Sequence, residues 1–226
     1  MSHKMIHCKY SKKLMRKLYA MNFLHKKHNL PVANVTMIKK AIYFAKKYHH
    51  GQLRNTKQPF ISHPITVANM CMDYIFNTNV IVAALLHDIV EDTSCTTEII
   101  YKEFNYRIAE MVYRLTRIRH GKKISIEKIL QEALDKNDRE TIIIKIVDRI
   151  HNLQSINVKN QEKRLKTIRE TLDYFVAFAV INSNEKLEEK INIMANKLSM
   201  PKHVTYLQKL YSKKISFDNY CLAPLT

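Results

Sequence analysis

Histidine and aspartate side chains of the kind that bind metal ions occur at three separated places in the chain. His63 lies at a loop-to-helix junction, His87 and Asp88 are adjacent in an apolar run, and Asp148 interrupts a later apolar run. A single histidine or aspartate in such a place is usually a satisfied core residue. Burying an ionised carboxylate is costly, however, unless a metal ion or hydrogen bonds compensate. We therefore predict that the four side chains form one metal site.

A set of two histidines and two aspartates offers nitrogen and oxygen ligands without sulfur. Such a set suits Mn²⁺, Fe²⁺ or Co²⁺ and differs from a closed structural zinc site. An octahedral ion with four protein ligands keeps positions for water and substrate. It can acidify that water and offset charge on a phosphoryl oxygen. The expected chemistry is metal-dependent phosphate hydrolysis.

Two acidic residues follow the His–Asp pair at helical spacing. Glu91 comes one turn after His87, and Asp92 one turn after Asp88, so that the pairs share a helix face. Neighbouring carboxylates repel, which can raise the pKa of one toward the range that a general base needs. We predict that Glu91 and Asp92 accept the proton of the attacking water. A solvated helix end would also explain this acidic pair taken alone.

A polar stripe follows Asp148 along its predicted helix. His151, Asn152 and Ser155 come three, four and seven residues later, on one helix face. Apolar residues alternate with them and are expected to face the core: Ile146, Val147, Ile150 and Leu153. This arrangement is typical of the wall of a site.

Helices are expected to position all of these side chains. Periodicity predicts helices over about 9–29, 36–50, 64–76, 79–92, 97–118 with a break near residue 105, 125–136, 139–155, 162–182, 185–198 and 202–213. The isoleucine-rich segment 139–155 also suits a buried strand, but Asp138 as a cap favours a helix. With only two glycines, phosphate-binding glycine loops are excluded and folds rich in tight turns are disfavoured. The IVAALL segment of the 79–92 helix is apolar nearly all round, which predicts a central helix. We predict an all-α fold.

The formal net charge is +18, and no acidic residue precedes Asp73. A positive field attracts polyanions, so nucleic acid, an anionic membrane and a multiply phosphorylated small molecule are all candidate partners. Codon usage is an alternative explanation, because Lys outnumbers Arg 28 to 10.

The cysteines indicate the compartment. Cys8, Cys71, Cys95 and Cys221 form no CxxC pair, which indicates reduced thiols in a cytoplasmic protein. No apolar run approaches the roughly 20 residues that span a bilayer, and no secretory cleavage site is evident. We predict a cytoplasmic protein without a membrane span.

Three segments resemble the RelA/SpoT hydrolase domain. LLHDIVEDT resembles its HD signature with the second acidic pair, HHGQLRNTKQPFISHP its AHxGQxRxxGxPYxxHP segment, and VDRIHNLQSI its ADRLHNMRTL segment. The three lie in order within about residues 36–182. The resemblance implies an HD-domain helical bundle around a single Mn²⁺ site. It also implies removal of the 3′-pyrophosphate of guanosine tetra- or pentaphosphate (ppGpp or pppGpp) to give GDP or GTP.

The resemblance assigns roles to particular residues. The positions that match its metal ligands are His63, His87, Asp88 and Asp148, and those that match its water-activating pair are Glu91 and Asp92. The positions predicted to bind the substrate are Arg54, which matches a residue packing on the guanine, with Asn55, Thr56, Lys57, Asn152 and Ser155.

Some positions depart from the family pattern. Asn55 replaces a Lys, Lys57 a Gly, Phe60 a Tyr, Gln154 an Arg and Ser155 a Thr. The first two changes bear on base recognition: Lys57 can supply the lost cation, whereas loss of the glycine can reshape the loop.

We divide the chain into a basic helical extension (1–33), an HD hydrolase domain (34–200) and a C-terminal helix and tail (201–226). A synthetase domain would begin about where this chain ends, so the chain resembles the small, hydrolase-only members, including the metazoan SpoT homologue. Two alternatives stay open: an HD phosphohydrolase for another nucleotide such as NADPH, and an inactive basic protein that binds RNA or a membrane surface. Under the favoured interpretation nucleic acid is not an expected partner, and the oligomeric state is left open.

Overall fold

The protein is described by a computed structural model over residues 8–119, 121–158 and 160–175, with residues 186–187, 189–190 and 193. Its elements are α1 (Lys9–Lys27), α2 (Val35–Tyr48), α3 (Ser62–Cys71), α4 (Thr78–Leu86), α5 (Ile89–Asp92), α6 (Thr97–Glu103), α7 (Tyr106–Leu115), β1 (Ile118–Arg119), β2 (Lys122–Lys123), α8 (Ile126–Asp135), α9 (Arg139–Gln154) and α10 (Gln161–Glu170). A 3₁₀ turn (Ile156–Val158) follows α9, and a π-helical segment (Thr171–Phe175) follows α10. Within these ranges the antiparallel hairpin β1–β2 is the only sheet. The predicted all-α fold is confirmed.

The chain forms two compact units, residues 1–158 and 159–226. The first contains α1 to α9 and the hairpin. In the second, Asn160 caps α10 by accepting from the Lys163 amide. The predicted domain limits at 33/34 and 200/201 stay predictions, and the predicted helix 202–213 lies outside the described residues. No described helix has both the length and the apolar character that crossing a bilayer requires.

Helix α4 lies at the centre of the first unit. Every residue from 80 to 86 is buried, because the helix contacts α2, α3, α7 and α9. Its first turn is capped by Asn77, whose side chain accepts from two backbone amides. The apolar run around its whole circumference predicted a central helix, and the structure confirms it.

Helix α9 forms in the isoleucine-rich segment 139–155, for which the sequence pattern allowed either a strand or a helix. Asp138 caps it by accepting from the Thr141 amide and is only 3% exposed. Arg107 Nη2 lies 2.6 Å from Asp138 Oδ1, and Arg114 forms a second ion pair with the same carboxylate. A buried, paired cap fixes where the helix begins, and the helix then satisfies the amides beyond its first turn internally.

The single helix predicted over 79–92 is wrong at its centre. The chain turns at His87 and Asp88, and a new helix, α5, starts at Ile89 with Asp88 in the N-cap position. Successive residues of an unbroken helix point about 100° apart. The turn between α4 and α5 removes this constraint, so both side chains can face one site. The helix predicted to run to residue 118 is likewise too long, because α7 ends at Leu115 and the hairpin follows.

Candidate metal centre and active site

Three helices bring the predicted metal-binding side chains together. His63 stands in the first turn of α3, His87 and Asp88 follow α4, and Asp148 lies in the middle of α9. One ligand atom each of His63, His87 and Asp88 lies within 4.8 Å of the others. Asp148 is not part of that tightest group, yet its Oδ1 is 3.1 Å from His63 Nε2 and 3.7 Å from His87 Nε2. The contacts of α3 and α4 with α9 produce this convergence.

The His87 ring is completely buried, and its surroundings fix its orientation. Nδ1 lies 2.9 Å from the Ala84 carbonyl oxygen, which can only accept, so Nδ1 carries the hydrogen. Nε2 therefore faces Asp88 Oδ1, 3.1 Å away, and it has no hydrogen-bond partner among the described residues. Its lone pair becomes available to a cation once this nitrogen loses its proton. Burial alone would lower the pKa of His87, but the charge of Asp88 and the nearby Asp148 carboxylate raise it to about 10.

His63 is oriented by a second histidine. Its Nδ1 lies 2.7 Å from His151 Nδ1, on the next turn of α9 after Asp148. Burial, together with the charges of His63 and Arg54, lowers the pKa of His151 to about 4, so His151 is neutral and accepts. His63 then donates from Nδ1 and points its Nε2 at Asp88 Oδ2 (3.4 Å) and Asp148 Oδ1 (3.1 Å).

The two carboxylates are held ionised at the centre of the cluster. Burial opposes ionisation of Asp88 and Asp148, but the facing His63 and His87 side chains hold both pKa values well below their usual range. Asn152 Nδ2 donates to Asp148 Oδ1 at 2.7 Å. Lys145 Nζ is 3.9 Å from Asp148 Oδ2 and donates to the Leu115 carbonyl.

This donor set fits a divalent cation. Two imidazole Nε2 atoms, which offer lone pairs to a cation once deprotonated, face two carboxylates in a buried site, and His87 Nε2 has no hydrogen-bond partner among the described residues. In the absence of a cation, protons must occupy the centre to neutralise the carboxylates. The ring N–H groups that point away from the centre are bonded to a carbonyl and to His151, which is the outer support that histidine ligands need.

The predicted proton acceptors have different surroundings. Glu91 Oε2 accepts from the Arg117 amide at 2.9 Å, which links α5 to the segment after α7. Within the described part of the chain the Asp92 carboxylate accepts no such hydrogen bond, and the Asp92 carbonyl accepts from the Gln52 side chain. Partial burial of the Asp92 carboxyl, with the charges of Asp88 and Glu91, raises its pKa to about 6. A raised pKa of this size suits a base that works near neutrality.

Arg54 reaches the polar stripe of α9 from the loop before α3. Its Nη2 donates to Asn152 Oδ1 at 3.3 Å, and its Nη1 lies 3.4 Å from His151 Nδ1. The predicted substrate residues Arg54 and Asn152 thus lie together beside Asp148. Ser155 ends α9, and its hydroxyl donates to the Asn152 carbonyl at 3.4 Å.

The loop that carries the departures from the family pattern is a tight turn. Lys57 has a φ of 60°, the left-handed region that glycine adopts freely. Its amide donates to the Arg54 carbonyl at 2.8 Å, and the Arg54 amide donates to the Gln58 carbonyl at 2.9 Å. The lysine therefore keeps the backbone conformation that suits the family glycine. Asn55 and Lys57 are exposed, while the Thr56 hydroxyl is buried and has no hydrogen-bond partner in the described part of the chain.

Two residues near the site, His151 and His49, were not assigned a role from the sequence. His151 lay in the predicted polar stripe, but its contact with His63, 88 positions away, has no local signal. His49 is buried and stacks on Phe60 at 4.6 Å. Its Nδ1 lies 2.7 Å from Gln52 Oε1, and its Nε2 has no hydrogen-bond partner within the residues that the structure describes. Burial lowers the pKa of His49, and the charges of His87 and His63 lower it further, against the opposing effects of the Gln52 hydrogen bond and the Asp88 charge. The sequence signal for both histidines was their position in the segments that resemble the family, HHGQ for His49 and RIHN for His151.

Comparisons with known proteins identify the family of this chain. Residues 41–180 match the model of the HD domain family. The chain is 31% identical over 209 residues to a probable GTP pyrophosphokinase of Mycobacterium leprae, a match that covers 82% of this chain and 26% of that protein. It is 30% identical over 175 residues to a guanosine-3′,5′-bis(diphosphate) 3′-pyrophosphohydrolase of Spiroplasma citri, covering 75% of this chain and 23% of that protein. The chain thus spans about a quarter of the length of these curated relatives.

A solved structure shares the fold. It is described as a metazoan ortholog of SpoT that hydrolyzes ppGpp, and it superposes with a TM-score of 0.61 at 24% identity. The match covers 74% of this chain and 98% of that one. The family match over more than half of the chain includes His63, His87, Asp88 and Asp148. The chain therefore belongs to the HD domain family.

Proposed function

We propose that this protein hydrolyses the 3′-pyrophosphate of ppGpp or pppGpp, giving GDP or GTP and pyrophosphate. The observation that carries the proposal is the buried centre in which His63 and His87 face Asp88 and Asp148, with Arg54 and Asn152 beside it. Support also comes from the relatives, one of which is named as a guanosine-3′,5′-bis(diphosphate) 3′-pyrophosphohydrolase.

The metal in this proposal is Mn²⁺, held by His63, His87, Asp88 and Asp148. A site of imidazole and carboxylate ligands suits Mn²⁺ better than it suits metal ions that prefer thiolate ligands. A bound divalent cation supplies Lewis acidity toward a phosphoryl oxygen and acidifies water. The protein's part is to hold the ligand side chains in place through the Ala84 carbonyl, His151 and Asn152.

The hydrolytic step needs a base for the attacking water. Water attacks the phosphorus attached to the ribose 3′-oxygen, the 3′-oxygen–phosphorus bond breaks, and the 3′-oxygen takes up a proton to become a hydroxyl. Asp92 is the residue proposed to accept the water proton, because its raised pKa matches that task. Glu91 raises that pKa with its charge and anchors the turn through the Arg117 amide.

Guanine recognition is assigned to the Arg54 loop. A guanidinium stacks on a planar base and stays charged at every working pH. The remaining predicted contacts come from Asn152 and Ser155 on α9 and from residues 55–57 of the loop. Because Lys57 keeps the left-handed conformation, the loop can hold Arg54 in the position that the family pattern requires. A cytoplasmic location is part of the same proposal, in line with the free Cys8, Cys71 and Cys95.

A nucleotide panel tests the substrate. The purified chain is incubated with Mn²⁺ and ppGpp, pppGpp, NADPH or GTP, and products are separated by ion exchange. We expect turnover of ppGpp and pppGpp, and we expect Arg54→Ala to raise KM for ppGpp with little change in kcat, because stacking acts in the ground and transition states alike. Brisk turnover of NADPH without turnover of ppGpp would refute the substrate and keep the hydrolase class.

A further inference from the structure

The end of α1 and the segment that follows it display large apolar side chains to solvent. Five of them, between 49% and 69% exposed, define what we call the α1 surface: Tyr19, Phe23, Leu24, Leu30 and Val32. The opposite face of α1 is buried through Leu14 and Leu18, and α1 contacts α3. Exposed apolar side chains that cluster on one surface are typical of an interaction site.

Hydrogen bonds hold this surface in shape. The Asn22 side chain accepts from the Ala33 amide at 2.7 Å and donates to the Ala33 carbonyl at 2.9 Å. The Leu30 amide donates to the His25 carbonyl at 2.8 Å, after Asn29 turns the chain with a φ of 54°. The segment after α1 is therefore fastened back onto the helix. Leu30 and Val32 are presented in fixed positions while exposed.

The same helix carries exposed positive charge. Its exposed cations are Lys9, Lys12, Lys13, Arg16, Lys26 and Lys27. None of the ion pairs among the described residues uses these side chains. The first acidic residue of the chain is Asp73, which pairs with Lys17 at 2.6 Å. The apolar side chains of the α1 surface therefore lie on a helix whose exposed cations have no ion-pair partner among the described residues.

We propose that the α1 surface docks the protein on an anionic lipid bilayer. Phe23, Leu24, Leu30 and Val32 enter the boundary between headgroups and acyl chains, and the lysines contact lipid phosphates and carboxylates. Aliphatic side chains distinguish this partner from RNA, because base stacking uses aromatic rings and cations and gains little from leucine or valine. The inference rests on α1 and the segment that follows it, and it is independent of the proposed hydrolysis.

Vesicle flotation tests the docking. The full chain is mixed with phosphatidylcholine vesicles that contain or lack phosphatidylserine, and the bound fraction is measured over a lipid titration. We expect binding only with phosphatidylserine. Leu24→Ser with Leu30→Ser should weaken binding about tenfold or more through lost apolar burial. Lys26→Gln with Lys27→Gln should weaken it roughly fivefold for each lysine.

Matched controls separate the α1 surface from general charge. Leu165→Ser removes an aliphatic side chain of similar exposure from α10, and Lys122→Gln with Lys123→Gln removes two exposed lysines from β2. Both should bind like the unmodified chain, and circular dichroism should show native helix content in every variant. Absence of binding to phosphatidylserine vesicles overturns the proposal, as does equal loss in the controls. Binding of a single-stranded RNA oligomer that tolerates the leucine substitutions, without vesicle binding, assigns the surface to RNA instead.

Discussion

Removing the His151 side chain tests how the metal centre is supported. In His151→Ala, the His63 Nδ1–H group loses the acceptor that lies 2.7 Å away. His63 is almost fully buried, so water does not replace that acceptor. Leaving a buried donor unsatisfied costs about 1–3 kcal/mol. If this cost falls on the orientation that presents Nε2 to the cation, Mn²⁺ affinity decreases by a factor of roughly 5–150.

Calorimetric titration of the metal-free protein with Mn²⁺ measures this effect directly. We expect a decrease within that range, consistent with the loss of about 10–100-fold that outer-shell changes usually cause. His151→Gln offers an amide oxygen as a replacement acceptor and should recover part of the affinity. His50→Ala, at an exposed histidine, serves as the matched control and should not change affinity. Unchanged affinity in His151→Ala, with the fold intact, would show that the His63–His151 contact does not support the site.

Other changes probe the base, the loop and the helix cap. Asp92→Asn should lower kcat by about 10²–10⁴-fold while Mn²⁺ affinity stays near normal, and normal turnover would remove Asp92 from the mechanism. Lys57→Gly should raise the free energy of unfolding by about 1 kcal/mol, because Lys57 occupies the left-handed region; denaturant titration measures it, and a loss of stability would contradict the loop geometry. Burial opposes ionisation of Asp138, but hydrogen bonds from Arg107 and Thr141 lower its pKa. Its contribution to stability is therefore complete above its unfolded pKa of about 3.9 and is lost as the pH falls through the lower folded value. Asp138→Asn keeps a capping oxygen and should flatten the acid limb of the stability profile, and an unchanged limb would exclude this charge as its origin.

The sequence predicted those parts of the fold that depend on local pattern. The all-round apolar run predicted that α4 is central, and Asp138 decided in favour of a helix for 139–155, since a cap acts within three residues. The candidate metal-binding residues could also be predicted from the sequence, because charged groups inside apolar runs need a compensating partner. Their predicted convergence matches the observed distances, and their role as ligands remains a proposal.

Features that depend on tertiary contacts were missed. The turn at His87–Asp88 has no glycine or proline to indicate it. The contacts that stabilise this turn, from Asp88 to His63 and from His87 to Asp148, form only in the folded protein. The bond from the Arg117 amide to Glu91 joins residues 26 positions apart and gives this carboxylate a structural task. Helical spacing alone placed Glu91 and Asp92 in equivalent roles, whereas their surroundings differ.

The central claim is that a divalent cation at this centre enables removal of the 3′-pyrophosphate. The most direct measurement is ion-exchange analysis of ppGpp incubated with the chelator-stripped chain, with and without added Mn²⁺, beside Asp148→Asn. We predict equal amounts of GDP and pyrophosphate with Mn²⁺, and no products in its absence or with Asp148→Asn. Products that form equally without Mn²⁺, or undiminished in Asp148→Asn, would contradict this account.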